Sequence, residues 1–150
     1  MEGQLTAFLL LIFVFSAGSI YHFRIRKQCI YPVKLTKPRV TLLIIISLVF
    51  LGMAYYLGEN SWDKYLLAIS ASLFIISGVL GQGVSEKGIY YRPLGAASLI
   101  MRLAKWESIK DIKINADKNK LESFRFKTET VFPDQYYNSE DISEIKNIYK

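Results

Sequence analysis

One cysteine and one histidine stand among 150 residues, so chemistry that depends on either type has little to work with. A single cysteine excludes an intramolecular disulfide and any cysteine cluster around a metal. His22 and Cys29 are a poor catalytic pair, because nothing nearby in the sequence orients one against the other. Gly78, Gly81 and Gly83 follow an apolar run and do not lie between a strand and a helix, so they make no phosphate cradle. Charge is absent from three stretches, residues 5–21, 40–57 and 65–80. Without ionisable groups at membrane depth, an ion or proton pathway through these stretches has no sequence support. No residue is assigned to catalysis, cofactor binding or a metal.

What is present is apolar length. Each uncharged stretch approaches the ~17–20 residues that a helix needs to cross a hydrocarbon core of ~30 Å. A helix apolar on all sides belongs in lipid or in the centre of a large core, and a chain this short cannot enclose three of them. Aromatic residues flank the stretches: Tyr21 and Phe23, Tyr55 and Tyr56, Trp62 and Tyr65. Such amphipathic rings suit the headgroup level. Ser70, Ser72 and Ser77 in the third stretch can bond back to a carbonyl one turn earlier. Ala17-Gly18-Ser19, Gly52 and Ser70-Ala71-Ser72 offer small surfaces where helices could approach. The positive charges follow the first stretch rather than precede it, so it reads as a retained span with the amino terminus outside and not as a cleaved leader.

Lys and Arg placement gives the orientation. Between the first two stretches lie Arg24, Arg26, Lys27, Lys34, Lys37 and Arg39 with no acid among them; between the last two there is one cation, Lys64. The positive-inside rule then puts the basic loop 22–39 and the carboxyl-terminal region in the cytoplasm of a multi-pass cell-membrane protein. Those six cations equal the whole formal charge of +6, so a general affinity for nucleic acid is not indicated. They are the candidate contacts for anionic lipid headgroups, each worth roughly 1 kcal/mol near the surface. Pro32 and Pro38 keep this loop from being one continuous helix.

Beyond Gly81-Gln82-Gly83 the composition changes. Residues 87–92 (KGIYYR), 98–103 (SLIMRL), 109–115 (IKDIKIN) and 121–127 (LESFRFK) read as strands, with turns at Pro93-Leu94-Gly95 and residues 116–120. Leu121 is out of phase with Phe124 and Phe126, which predicts a bulge. A closing helix is capped by Asn138 or Ser139, with Glu140 and Asp141 in its first turn and Ile142, Ile145, Ile148 and Tyr149 on one apolar face. The sequence therefore predicts an α+β membrane protein. Three transmembrane helices (membrane domain, 1–82) precede a small antiparallel β-meander with a carboxyl-terminal helix across it (soluble domain, 83–150).

Gly88-Ile89 at the first of these strands, Trp106-Glu107-Ser108-Ile109 entering the third, the hairpin around Leu121 and the helix from Ser139 carry a resemblance. The stretch from about residue 85 to 150 resembles the pleckstrin-homology-like domains of small, uncharacterised bacterial membrane proteins. The resemblance implies a shortened version of that fold rather than its full two-sheet form, and it implies no activity. Lys87, Arg92 and Arg102 are too scattered to form the phosphoinositide site of eukaryotic relatives. Trp106 reads as a core side chain under the helix, with contact to a partner as the alternative.

Two functions fit. One is a non-enzymatic membrane protein that displays an interaction or regulatory domain to a protein partner or to a second copy of itself. The other is an immunity or membrane-protective protein against a peptide toxin.

Overall fold

A computed structural model describes residues 2–57, 61–93 and 100–149. Its elements run α1 (Glu2–Gln28), β1 (Cys29–Pro32), α2 (Lys37–Leu57), α3 (Trp62–Leu80), β2 (Gly83–Ser85), β3 (Gly88–Tyr91) and β4 (Arg102–Lys105). A single 3-10 turn at Trp106–Ser108 leads to β5 (Ile109–Asn115), β6 (Lys120–Phe126), β7 (Glu129–Val131), β8 (Gln135–Tyr136) and α4 (Ser139–Ile148). The chain divides into two compact units: the helices through His22 and from Thr36 to Val79, and a second built from Phe23–Leu35 together with the chain from Leu80 onward.

In the helical unit, α1, α2 and α3 are each long and apolar enough to cross a membrane, so the chain is an integral membrane protein with three candidate spans. α1 is longer than its uncharged stretch. Phe23 to Gln28 contain no proline or glycine, and Arg26 and Lys27 in the last turn complement the negative end of the helix dipole. Arg24, Arg26 and Lys27 therefore lie on helix, not in the loop that the sequence predicts. α2 starts at Lys37 with Pro38 in its first turn, where a missing N–H costs nothing.

The span hydroxyls behave as expected. Ser19, Ser47 and Ser72 donate to the carbonyls of Phe15, Leu43 and Ala68 at 2.8–2.9 Å. Ser70 and Ser77 donate to Leu67 and Phe74. α1 and α3 approach closely at Gly18, where a Cβ would fall 2.3 Å from a ring carbon of Phe74. The same ring lies 5.5 Å from that of Phe15 and 5.1 Å from the imidazole of His22.

The second unit departs from the expected single meander. It contains two four-stranded antiparallel sheets, one ordered β1-β2-β3-β4, the other β5-β6-β7 with β8 also on β6. Two features of the chain explain the difference. The one-turn helix at Trp106–Ser108 ends pairing with β3 and redirects the chain into the second sheet. The segment between α1 and α2, expected to be a loop, supplies β1 as the edge strand of the first sheet. The expected strand at 98–103 is displaced as well: pairing runs over Arg102–Lys105, and residues 98 and 99, like Leu94 and Gly95 of the expected turn, fall outside the described residues.

Both sheets share one core. Val84, Ile89, Tyr91 and Ala104 meet Ile109, Leu121 and Phe124, and Ile142 and Ile145 of α4 pack on them. The Tyr91 and Phe124 rings meet edge to face at 5.1 Å. The bulge expected near Leu121 falls at Glu122: Lys113 pairs with Ser123 and Ile114 with Leu121, so Leu121, Ser123 and Phe124 all turn inward.

Ile148 does not join the apolar face of α4 and is 49% exposed, because the inward stripe runs through Ile142, Ile145 and Tyr149. Asn138 occupies the cap position without a side-chain bond to the backbone; its amide donates to Asp141 at 3.0 Å.

A polar group links the sheets inside this core. The Gln135 amide donates to the Tyr90 carbonyl at 2.8 Å and to the Gln82 side chain at 3.2 Å, and the Tyr137 hydroxyl donates to Gln135 at 2.7 Å. Gln135 is fully buried, and these partners satisfy it.

Gly88 is the tightest point of the first sheet. Its φ is +148°, and a Cβ there would fall 2.0 Å from the Ala104 carbonyl oxygen. Gly88→Ala is expected to destabilise the second unit by roughly 3 kcal/mol or more. Limited proteolysis and thermal unfolding of the full chain in detergent check this; an unchanged midpoint would refute the β3–β4 register.

Candidate functional site at the end of the first span

The six loop cations do not form one equivalent set. Arg24, Arg26 and Lys27 ride on the last turns of α1, Lys34 follows β1, and Lys37 and Arg39 open α2. Arg26 is committed: its guanidinium donates to the Leu80 carbonyl, the last residue of α3, at 2.8 Å. A cation there neutralises an unpaired carbonyl at a helix C-terminus. Arg24, Lys27, Lys34 and Lys37 are exposed.

β1 is held on several sides. Its backbone pairs with β2; beyond it, Val33 N–H donates to the Gln82 carbonyl at 3.2 Å and Lys34 N–H to the Tyr136 carbonyl at 2.7 Å. The Tyr31 hydroxyl donates to the Glu144 carboxylate on α4, an interaction that raises the phenol above its ordinary range. The segment that the sequence reads as a loop is thus fixed to both sheets and to the closing helix.

Where α1 passes into β1, a cleft of about 570 Å³ opens. Lys27, Gln28 and Ile30 form one side, and Ser85, Lys87 and Tyr90 the other. Glu86 and Cys29 complete the lining. The Tyr90 hydroxyl donates to the Gln28 side-chain carbonyl at 3.1 Å across this cleft. Lys87 and Glu86 form the two-residue turn of the β2–β3 hairpin, whose Ser85 hydroxyl donates to the Gly88 carbonyl at 3.0 Å. Sequence reasoning missed Lys87, Tyr90 and Gln28 as neighbours. No local signal connects residue 28 with residue 90.

The other singled-out residues resolve as follows. Trp106 is half-buried in its one-turn helix, packs against the core and donates its indole N–H to the Ser85 carbonyl at 3.2 Å. Glu107 beside it is exposed. His22 is buried within the candidate span Leu5–Gln28, its Nδ1 lying 3.1 Å from the Ser77 hydroxyl. Among the described residues no three His, Cys, Asp or Glu side chains gather as a metal site. No family model, curated protein or solved structure matches the chain.

Cys29 begins a strand rather than lying in a loop, and burial pushes its thiol up from 9.0 to about 11, partly opposed by Arg26. The fold therefore favours the protonated thiol. That preference contributes stability below pH 9.0 and is lost as pH climbs to about 11. A two-unit rise lowers the thiolate fraction about a hundredfold at neutral pH. Alkylation of Cys29 in the folded protein is expected to run about a hundredfold slower than in the urea-unfolded chain at the same pH. Equal rates would show that Cys29 is not held in β1.

Proposed function

We propose that this chain is a non-enzymatic, multi-pass protein of the cell membrane that displays a pleckstrin-homology-like domain in the cytoplasm as an interaction or regulatory module. The observation that carries the reading is the pairing of β1 with β2. β1 lies between the first two candidate spans and β2 follows the third, so the two crossings that separate them, α2 and α3, return the chain to the same side of a bilayer. The pairing requires just that. Residues 22–39, which run from the end of α1 through β1 into the start of α2, hold the six cations, and the positive-inside rule assigns such a stretch to the cytoplasm. Two antiparallel sheets closed by a carboxyl-terminal helix support the pleckstrin-homology-like assignment in its two-sheet form. The departure is that one strand comes from between the spans. A module built on a fixed base, with a half-buried Trp106 near its surface, has the rigidity that a docking surface needs.

Orientation is tested by introducing Lys118→Cys into a Cys29→Ala chain, since Lys118 sits exposed in the β5–β6 turn. A membrane-impermeant maleimide is expected to leave intact cells unlabelled and to label after lysis. Labelling before lysis would reverse the topology. Function is tested by crosslinking and pull-down of the tagged full-length chain beside Gly88→Val. A specific protein captured by the first and lost from an equally abundant, membrane-inserted second supports an interaction module. Capture of nothing by either would favour the membrane-protective alternative.

A further inference from the structure

We propose that the cleft at the end of α1 holds the phosphodiester headgroup of an anionic glycerophospholipid drawn from the bilayer that α1 crosses. This inference rests on α1 being a span and does not depend on a protein partner. Depth is the first argument. From Leu5 to Gln28 the candidate span has 24 residues. At ~1.5 Å per residue that is about 36 Å, so a helix entering the ~30 Å hydrocarbon core near Leu5 carries Lys27 and Gln28 into the headgroup layer.

Donor chemistry is the second. Lys27 and Lys87 come from elements 60 positions apart in the sequence (87 minus 27), yet line one cleft, and neither ammonium has a hydrogen-bond or ion-pair partner among the described residues. Gln28 adds a further donor. Tyr90 fixes its carbonyl end, which leaves the amide N–H pair as the end that can donate to a phosphate oxygen. Ile30, 49% exposed beside these groups, gives the glycerol and upper acyl chain an apolar contact.

Charge balance selects the headgroup. Against two lysines stands Glu86, so the cleft carries a net charge of one positive unit (two minus one). That suits a phosphodiester bearing a single negative charge, and it disfavours a headgroup carrying several phosphates. Arg26, bound to the Leu80 carbonyl, is not part of this site.

The test uses the full chain reconstituted in phosphatidylcholine vesicles with roughly a third phosphatidylglycerol, followed by extraction and native mass spectrometry of retained lipid. Wild type is expected to retain phosphatidylglycerol in preference to phosphatidylcholine. Lys27→Gln/Lys87→Gln is expected to lose that preference by about tenfold, and Lys110→Gln/Lys118→Gln, which removes the same charge from exposed positions outside both the cleft and the basic segment, to keep it. Equal loss in both double variants, or loss in neither, would overturn the site. Displacement of the lipid by millimolar glycerol phosphate would overturn the bilayer as the source. Failure of wild type to insert into vesicles would overturn the span reading itself, and with it the site, and is distinguished from the other outcomes by flotation.

Discussion

The backbone of residues 29–34 is the constraint on which the second unit depends. Four consecutive kinds of contact hold it: a ladder with β2, a bond from Val33 to Gln82, a bond from Lys34 to Tyr136, and the Tyr31 hydroxyl on Glu144. They reach both sheets and α4. The partners of this short segment lie about fifty to more than a hundred positions further along the chain, so closing it carries the entropy of a long loop. The two helices α2 and α3 occupy most of that loop, which shortens its disordered length. Close approach is built into the sequence on the β2 side. Gly83 has a φ of +156°, and a Cβ there would fall 2.6 Å from the Tyr31 carbonyl oxygen.

The interior of the same unit is held by a second, different device. An apolar core alone sets little preference for how two small sheets are registered against each other. The Gln82–Gln135–Tyr137 group does set one, because its donors and acceptors match only when β8 lies beside the Tyr90 carbonyl. A buried glutamine amide without partners costs about 1–3 kcal/mol per lost bond, so a slipped arrangement is penalised even where apolar contact is conserved. Tyr137, fully enclosed, has its phenol raised well above the ordinary range by burial, and so remains a donor at any physiological pH. The interior is therefore specified by a few polar contacts and stabilised by many apolar ones.

How much of this could be read from the residues follows from how local each signal is. The spans are legible because an absence of charge over about 17 residues is a strong signal against any alternative. The β5–β6 hairpin is legible from alternation, and even its bulge at Glu122 is announced by the phase break after Leu121. β1 is not legible. Cys29-Ile30-Tyr31-Pro32 is short, ends in proline and shows no alternation, and its partner strand has only three residues. β8, with two residues, carries no pattern at all. One sheet was therefore expected where there are two. The same reason governs the site. Sequence identifies six cations, but only three-dimensional pairing separates Arg26, spent on Leu80, from Lys27 beside Lys87. Lys87 looked isolated because nothing in its own neighbourhood points to residue 27.

The segment between α1 and α2 thus carries several duties in few residues. The cations on and beside it are the charges that the positive-inside rule reads, its backbone completes a sheet, and its first residues border a cleft. These duties are compatible because they use different parts of each residue. That rule uses side-chain charge summed over residues 22–39, and the sheet uses backbone N–H and C=O. The cleft uses the placement of particular side chains. Removing Lys27 changes the sum slightly and the cleft greatly, whereas inserting a residue in β1 leaves the sum intact and slips the ladder by one position. The two kinds of change separate what the segment does for topology from what it does for the fold. The edge strand of the first sheet is the direct continuation of α1, a helix long and apolar enough to cross a membrane.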